Sequence, residues 1–258
     1  MSQITEPSLA ELAEFAVDLA WQAGRRTLAY FQAGVAAEEK DDGTPVTLAD
    51  REAERVLREG VRARFPDDSL VGEEYGEDLA AGPRTWVFDP IDGTKGFVHG
   101  VPLYSVLVAM VEDGRPKIGI IHLPALGETV YAFEGGGCWW NGRRARVSSV
   151  DKVADALVLC SDFPDHEQPN SARRLYEKAR LRRTWGDAYG YAMVATGRAE
   201  IMVDPIVAPW DVAALPPILS EAGGRFSTFD GGSDYAAGSA IGSNGLVHDE
   251  VLDLVRPA

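Results

Sequence analysis

The chain has 258 residues, 45% of them hydrophobic and 25% charged, with 40 acidic against 25 basic side chains and a formal net charge of −15 at pH 7. That length provides for one large domain or two closely packed halves with an ample core, and the acidic balance argues against a nucleic-acid partner. The longest strongly apolar run, residues 106–111, is far too short to span a bilayer, the first residues lack the basic-then-apolar order of a secretion signal, and the two cysteines, Cys138 and Cys160, have no metal-site spacing and suit a reducing cytoplasm.

Ser8 and Glu11 have capping-box spacing ahead of a stripe formed by Leu9, Leu12, Phe15, Ala16, Leu19, Ala20 and Ala23. This pattern predicts a helix from residue 8 to the low thirties, with Gly34 as its stop. A charged loop follows over 38–45. Thr47 and Asp50 repeat the cap spacing and open a second helix to about Phe65. Ser69-Leu70-Val71 reads as a short strand that delivers Gly72-Glu73-Glu74-Tyr75-Gly76. Residues 86–88 have the aromatic and β-branched composition of a buried strand. Pro90 is expected to end that strand, because it has no N–H and biases Asp89 away from helix.

Residues 104–111, 117–122, 129–133, 137–140 and 145–147 read as an antiparallel meander turned at Asp113-Gly114, at 134–136 and at Asn141-Gly142. A boundary near 150 divides the chain into an N-terminal α+β half, 1–150, and a C-terminal half, 151–258. In the second half strands are expected at 156–161, 182–185, 201–203, 225–228 and 240–242. Helices are expected over 170–181, from Gly186-Asp187 through about 196, over 209–222 and over 248–255.

The chemistry concentrates at Asp89-Pro90-Ile91-Asp92-Gly93-Thr94. A rigid strand end there gathers Asp89, the Ile91 carbonyl, Asp92 and the Thr94 hydroxyl, a set of hard oxygen donors that suits Mg²⁺. An Asp-rich turn would use the same residue types. Asp50 and Asp211, each near a helix start, read equally well as caps.

Gly72-Glu73-Glu74, Asp89-Pro90-Ile91-Asp92-Gly93-Thr94 and Trp210-Asp211 ahead of Glu221-Ala222-Gly223-Gly224 resemble, in that order, the inositol monophosphatase family. Its members are Mg²⁺-dependent, lithium-sensitive phosphomonoesterases. The resemblance extends from Lys40 and Asp50 to the last Gly-Gly, with Lys40 matching a basic residue of the family's metal-site loop. It implies an α+β fold, a layered α-β-α-β-α sandwich of the inositol monophosphatase and fructose-1,6-bisphosphatase type, and commonly a homodimer. It also implies two to three Mg²⁺ per active site. Glu73, Asp89 and the Ile91 carbonyl would hold one ion, Asp89, Asp92 and Asp211 a second, and Glu73 a weaker third. Glu73 and Thr94 would orient the attacking water, Asp50 would support Thr94, and the Gly93 and Thr94 N–H groups would bind phosphate during direct in-line attack.

Gly186-Asp187-Ala188-Tyr189-Gly190-Tyr191, and Lys95-Gly96-Phe97 with Gly100-Val101-Pro102, look like the histidinol-phosphatase branch. Inositol-type members more often carry Thr-Asn after Gly-Thr and a neutral Gly-Thr-Ala-Ala later. Asp187 and Asp204, at two strand ends, would favour a cationic substrate over a neutral polyol, although a helix cap and a turn acid are the ordinary uses of such residues. Lys95 reads as a surface charge or as a positive group near the phosphate. The expected activity is Mg²⁺-dependent hydrolysis of L-histidinol phosphate, a step of histidine biosynthesis, in the cytoplasm. The alternatives are an inositol-1-phosphate or broad sugar-phosphate phosphatase, and a catalytically silent metal- or phosphate-binding regulator. A dehydrogenase is set aside, since no strand-Gly-x-Gly-x-x-Gly-helix unit is present.

Overall fold

The computed structural model describes residues 6–34, 38–39, 45–162 and 172–256; Lys40 and the start of the helix expected at 170 lie outside them. Helix α1 (Leu9–Leu28) is capped as its sequence predicts, with Glu11 N donating to Ser8 Oγ at 3.3 Å and Ser8 N donating to Glu11 at 2.8 Å. It ends at Leu28, earlier than expected. Gln32 takes a left-handed φ of 58° that no right-handed helix can include, and its side chain donates to Gly100 O at 3.0 Å. A small antiparallel ribbon of β1 (Glu38–Glu39) and β2 (Pro45–Val46) leads into α2 (Leu48–Arg64), opened by the Thr47–Asp50 capping box.

The larger sheet contains β3 (Ser69–Gly72), β4 (Gly76–Asp78), β5 (Arg84–Asp92), β6 (Ser105–Glu112), β7 (Arg115–Leu123), β8 (Glu128–Phe133), β9 (Gly137–Trp140) and β10 (Arg143–Arg144). Its order is β10-β9-β8-β7-β6-β5-β3-β4, antiparallel except where β3 runs parallel to β5. Strand β5 does not stop at Pro90. The register against β6 shifts between Asp89 and Asp92, so the proline falls in a bulge where no ladder N–H is required. Residues 145–147 are not a strand: Val147 N donates to Ala222 O at 3.1 Å, which carries the chain away from the sheet. Between β5 and β6 lies the short α3 (Thr94–Val98).

The smaller sheet contains β11 (Leu157–Leu159), β12 (Leu181–Arg183), β13 (Ile201–Asp204), β14 (Arg225–Ser227) and β15 (Ala240–Ser243) in the order β12-β11-β13-β15-β14. With it come α4 (Arg173–Lys178), α5 (Asp187–Ala195), α6 (Pro209–Val212), α7 (Leu215–Glu221) and α8 (His248–Val255). The single helix expected over 209–222 is two, because Pro216 and Pro217 cannot donate the N–H groups that would join α6 to α7.

Alternation along the buried strands sets the layers. Trp86, Phe88, Val106, Val108 and Met110 pack against α1 and α2, while Val87, Leu107, Ala109 and Val111 face α5 and α7. That second core also takes in Leu157, Leu159 and Met202 from one face of the smaller sheet, whose other face packs Val158, Ile201 and Val203 against α4 and α8. The result is the α-β-α-β-α sandwich expected from the sequence. Two parallel pairs, β3 with β5 and β11 with β13, send their C-terminal ends out together, and such ends are where α/β ligand sites form. Among the described residues no helix is long and apolar enough to cross a membrane.

Candidate active site

The register Gly72↔Phe88 sets the end of β3 beside Asp89, and Glu73 N donates to Phe88 O at 3.4 Å. In the bulge, Asp89 Oδ1 accepts from Ile91 N at 3.1 Å, an Asx turn made by an acid that is 2% exposed. Asp92 Oδ2 accepts from Ser105 Oγ at 2.9 Å and from Ala188 N at 2.8 Å, so one carboxylate ties the larger sheet to the start of α5. Asp211 Oδ2 accepts from Ala208 N at 2.8 Å in a turn that doubles as a helix cap. Asp89, Asp92 and Asp211 thus each spend one oxygen on the protein. Their other oxygens have no protein donor among the described residues and are not sealed from solvent.

Gly93 has φ 83°, which turns the chain into α3, and a Cβ on it would lie 2.9 Å from Asp187 Oδ2. Both facts require glycine there. Thr94 Oγ1 donates to the Ile91 carbonyl at 2.9 Å and lies 3.5 Å from Asp50 Oδ1, the outer limit of a hydrogen bond. Asp50 is held by Thr47, whose N–H and hydroxyl donate to Oδ2 at 2.8 and 2.6 Å. The cap reading of Asp50 is correct, and its other oxygen still faces Thr94.

Asp89, Ile91, Asp92, Gly93, Thr94 and Asp211 line one chamber of about 590 Å³, with Asp50 behind Thr94. Glu73, Asp89, Asp92, Asp187 and Asp211 are on its wall together with Asp162, and among the described residues Lys95 is the cation that lines it with them. Burial, reinforced by Glu73, Asp92 and Asp211, raises the Asp89 carboxyl well above its usual range; burial and Asp187 do the same to Asp92. Burial and the neighbouring carboxylates push Asp211 up to about 7, and burial raises Asp50.

Carboxylates crowded in this way require a counter-charge, and every donor among them is a hard oxygen. No cysteine or histidine lines the chamber among the described residues. As they stand, no three His, Cys, Asp or Glu side chains among the described residues are grouped closely enough to hold a metal ion by themselves. The all-oxygen donors of the lining fit Mg²⁺, which keeps several waters and takes its remaining ligands from one or two carboxylates and a substrate phosphate. They do not fit zinc.

The two acids expected to read the substrate are placed differently. Asp187 is the first residue of α5, with a left-handed φ of 51°, and it projects into the chamber; Gly186, not Asp187, is the cap. Asp187 N donates to Ser161 Oγ at 2.8 Å. Asp204 lies behind it, lining an adjoining space of about 100 Å³. Its oxygens accept from Ser161 N at 3.2 Å and Tyr191 Oη at 2.9 Å, and burial raises its carboxyl to about 6. Sequence reasoning missed Ser105, the Ala188 N–H, Ser161 and Asp162. For the last two a signal existed, since they directly follow the apolar stretch 157–160 just as Asp89 follows its own strand.

The Inositol monophosphatase family model matches residues 8–257. A histidinol-phosphatase of Chlorobaculum parvum is 43% identical over 242 residues, covering 90% of this chain and 93% of the relative. A fructose-1,6-bisphosphatase/inositol-1-monophosphatase of Thermotoga maritima is 40% identical over 212 residues, covering 82% of each chain. Among solved structures, a Thermotoga maritima IMPase superposes with a TM-score of 0.85 at 36% identity, covering 94% of this chain and 95% of that one.

Proposed function

The chain belongs to the inositol monophosphatase family, and from that premise we propose that it hydrolyses L-histidinol phosphate to L-histidinol and phosphate with Mg²⁺. It is a phosphoric monoester hydrolase. The observation that carries the reading is the single chamber shared by Glu73, Asp89, Asp92, Thr94 and Asp211, with Asp187 lining it as well.

Glu73, Asp89, the Ile91 carbonyl, Asp92 and Asp211 are the proposed ligands of two to three ions. Bound Mg²⁺ supplies Lewis-acid polarisation of the phosphoryl group and a lowered pKa for water. The remaining work falls to the chain. Rotation of the Thr94 hydroxyl from the Ile91 carbonyl to Asp50 Oδ1 turns an Oγ1 lone pair toward the chamber, where it accepts from the attacking water beside Glu73. The first N–H groups of α3, at Gly93 and Thr94, have no intrahelical acceptor and are the proposed donors to phosphate. Water adds to phosphorus in line and gives up one proton, the ester P–O bond breaks, and the leaving alkoxide takes up one proton from solvent, so that alcohol and hydrogen phosphate are the products.

The substrate assignment rests on Asp187. Histidinol phosphate carries an ammonium and an imidazole, and a carboxylate beside the metal ligands attracts a cation by charge, whereas it offers a neutral polyol only hydrogen bonds. Relatives at 43% and 40% identity bear different substrate names, so identity alone does not choose between them. We read the division near residue 150 as a division of labour, with metal ligands mainly before it and substrate contacts after it. A homodimer, lithium sensitivity and a cytoplasmic setting belong to the same reading and rest on the family. Phosphate release from L-histidinol phosphate and from inositol 1-phosphate, each with Mg²⁺, tests it. The expected result is a higher kcat/KM for histidinol phosphate. A preference for the inositol ester would favour the alternative phosphatase, and no hydrolysis of either would favour the regulator.

A further inference from the structure

On α2, Asp50, Glu54 and Arg58 fall four residues apart and so share one helix face. Asp50 serves Thr94. Glu54 is fully buried, and both its oxygens are committed to the turn that bears Glu73: Oε2 accepts from Glu74 N at 2.7 Å and Oε1 from Tyr75 N at 3.3 Å. Arg58 pairs with Oε1 at 2.7 Å and with its other arm donates to Gly76 O. The carboxylate also presses on the backbone at Gly72, where a Cβ would lie 2.2 Å from Oε1. Closing a turn does not require such a device. The β6–β7 connection in the same sheet closes on Asp113 and Gly114, with φ 51° and 71°, and no side chain among the described residues clamps it. Burying a carboxylate is costly unless it is paired and fully hydrogen-bonded, so what the clamp secures is the position of residues 72–76.

We propose that Glu54, braced by Arg58, is a positioning residue that holds the Glu73 turn at a fixed distance from Asp50 and Thr94. The polar face of α2 thereby sets the spacing of the two groups that orient the attacking water. The inference rests on the metal- and water-holding role proposed for Glu73. Glu54→Gln keeps the shape but replaces one acceptor by a donor facing an N–H. Gly72→Ala perturbs the same contact from the opposite side and leaves Glu54 itself unchanged, so it carries the test if the first variant does not fold.

The test is calorimetric titration of the folded, substrate-free proteins with Mg²⁺, with KM measured separately at saturating Mg²⁺. Each variant should bind Mg²⁺ about 10–100-fold more weakly, the usual cost of removing a group that orients a metal ligand, while KM stays near the wild-type value. The double variant should fall short of the product of the singles, because both changes break one contact. Wild-type binding with both folded variants unchanged, or multiplicative effects in the double variant, would overturn the role of Glu54. A wild type that binds no Mg²⁺ would instead overturn the reading of Glu73, and this inference with it.

Discussion

On the N-terminal side of the chamber, Asp89 on the wall is tied to its own turn and Asp50 behind it to its helix cap, while on the C-terminal side Asp187 and Asp204, the latter behind the wall, are both tied to Ser161. The first arrangement leaves Asp89 one oxygen for the chamber, as Asp92 and Asp211 also have, which is what a set of cation ligands requires. In the second, Asp204 spends both oxygens on protein donors, and of the two acids it is Asp187 that lines the chamber. Asp187 does so from a left-handed backbone, a conformation that is costly for a residue with a Cβ. Under the proposed function, the difference would set the general chemistry largely on groups held in short turns and caps, and the choice of substrate on one strained residue held by its neighbours.

Breaking the first wall should have the largest effect. Asp89→Asn should lower kcat on any ester by at least about 10³-fold, comparable to the loss of a major electrostatic stabiliser. Steady-state assays with Mg²⁺ on both esters check this, and a loss on only one ester would contradict the shared role.

The second wall should show itself next in pH dependence. Asp204 has a folded-state carboxyl raised from 3.8 to about 6, so the folded protein holds this proton more tightly than the unfolded chain does. Its contribution favours folding below pH 4 and is lost as pH rises toward 6. The loss is worth about 3 kcal/mol in all. In Asp204→Asn that fall should flatten, because the amide carries no charge; its one oxygen can keep the Ser161 N–H while its NH₂ donates to the Tyr191 hydroxyl. Denaturant melts from pH 4 to 8 measure it, and an unchanged slope would remove Asp204 from the account.

The smallest effect belongs to Ser161→Ala, which deprives Asp187 N of its acceptor. A stability loss of about 1 kcal/mol is expected from one such bond. Thermal unfolding should record it as a fall of about 2–4 °C in Tm.

The first wall was largely legible in the sequence, because its chemistry lies in short segments. Asp89 through Thr94 is one short segment, and the partners of the capping boxes at Ser8 and Thr47 are three positions apart. The layered fold was legible through the family resemblance together with strand alternation. What could not be read depends on contacts between distant segments. Asp92 accepts from Ala188, 96 residues away, and Glu54 clamps a turn 20 residues on. Pro90 was misread for a related reason. Its effect depends on whether its position faces a ladder bond, and only the register against β6 shows that it falls in a bulge.

The most direct test of the account is the ratio of kcat/KM for L-histidinol phosphate to that for inositol 1-phosphate, in the wild type and in Asp187→Asn. The wild type should favour the cationic ester, and the variant should lose about tenfold of that ratio, or about 1.4 kcal/mol, with little change toward the neutral ester. Equal losses on both esters, or a wild type that prefers the inositol ester, would contradict the claim that Asp187 selects the substrate.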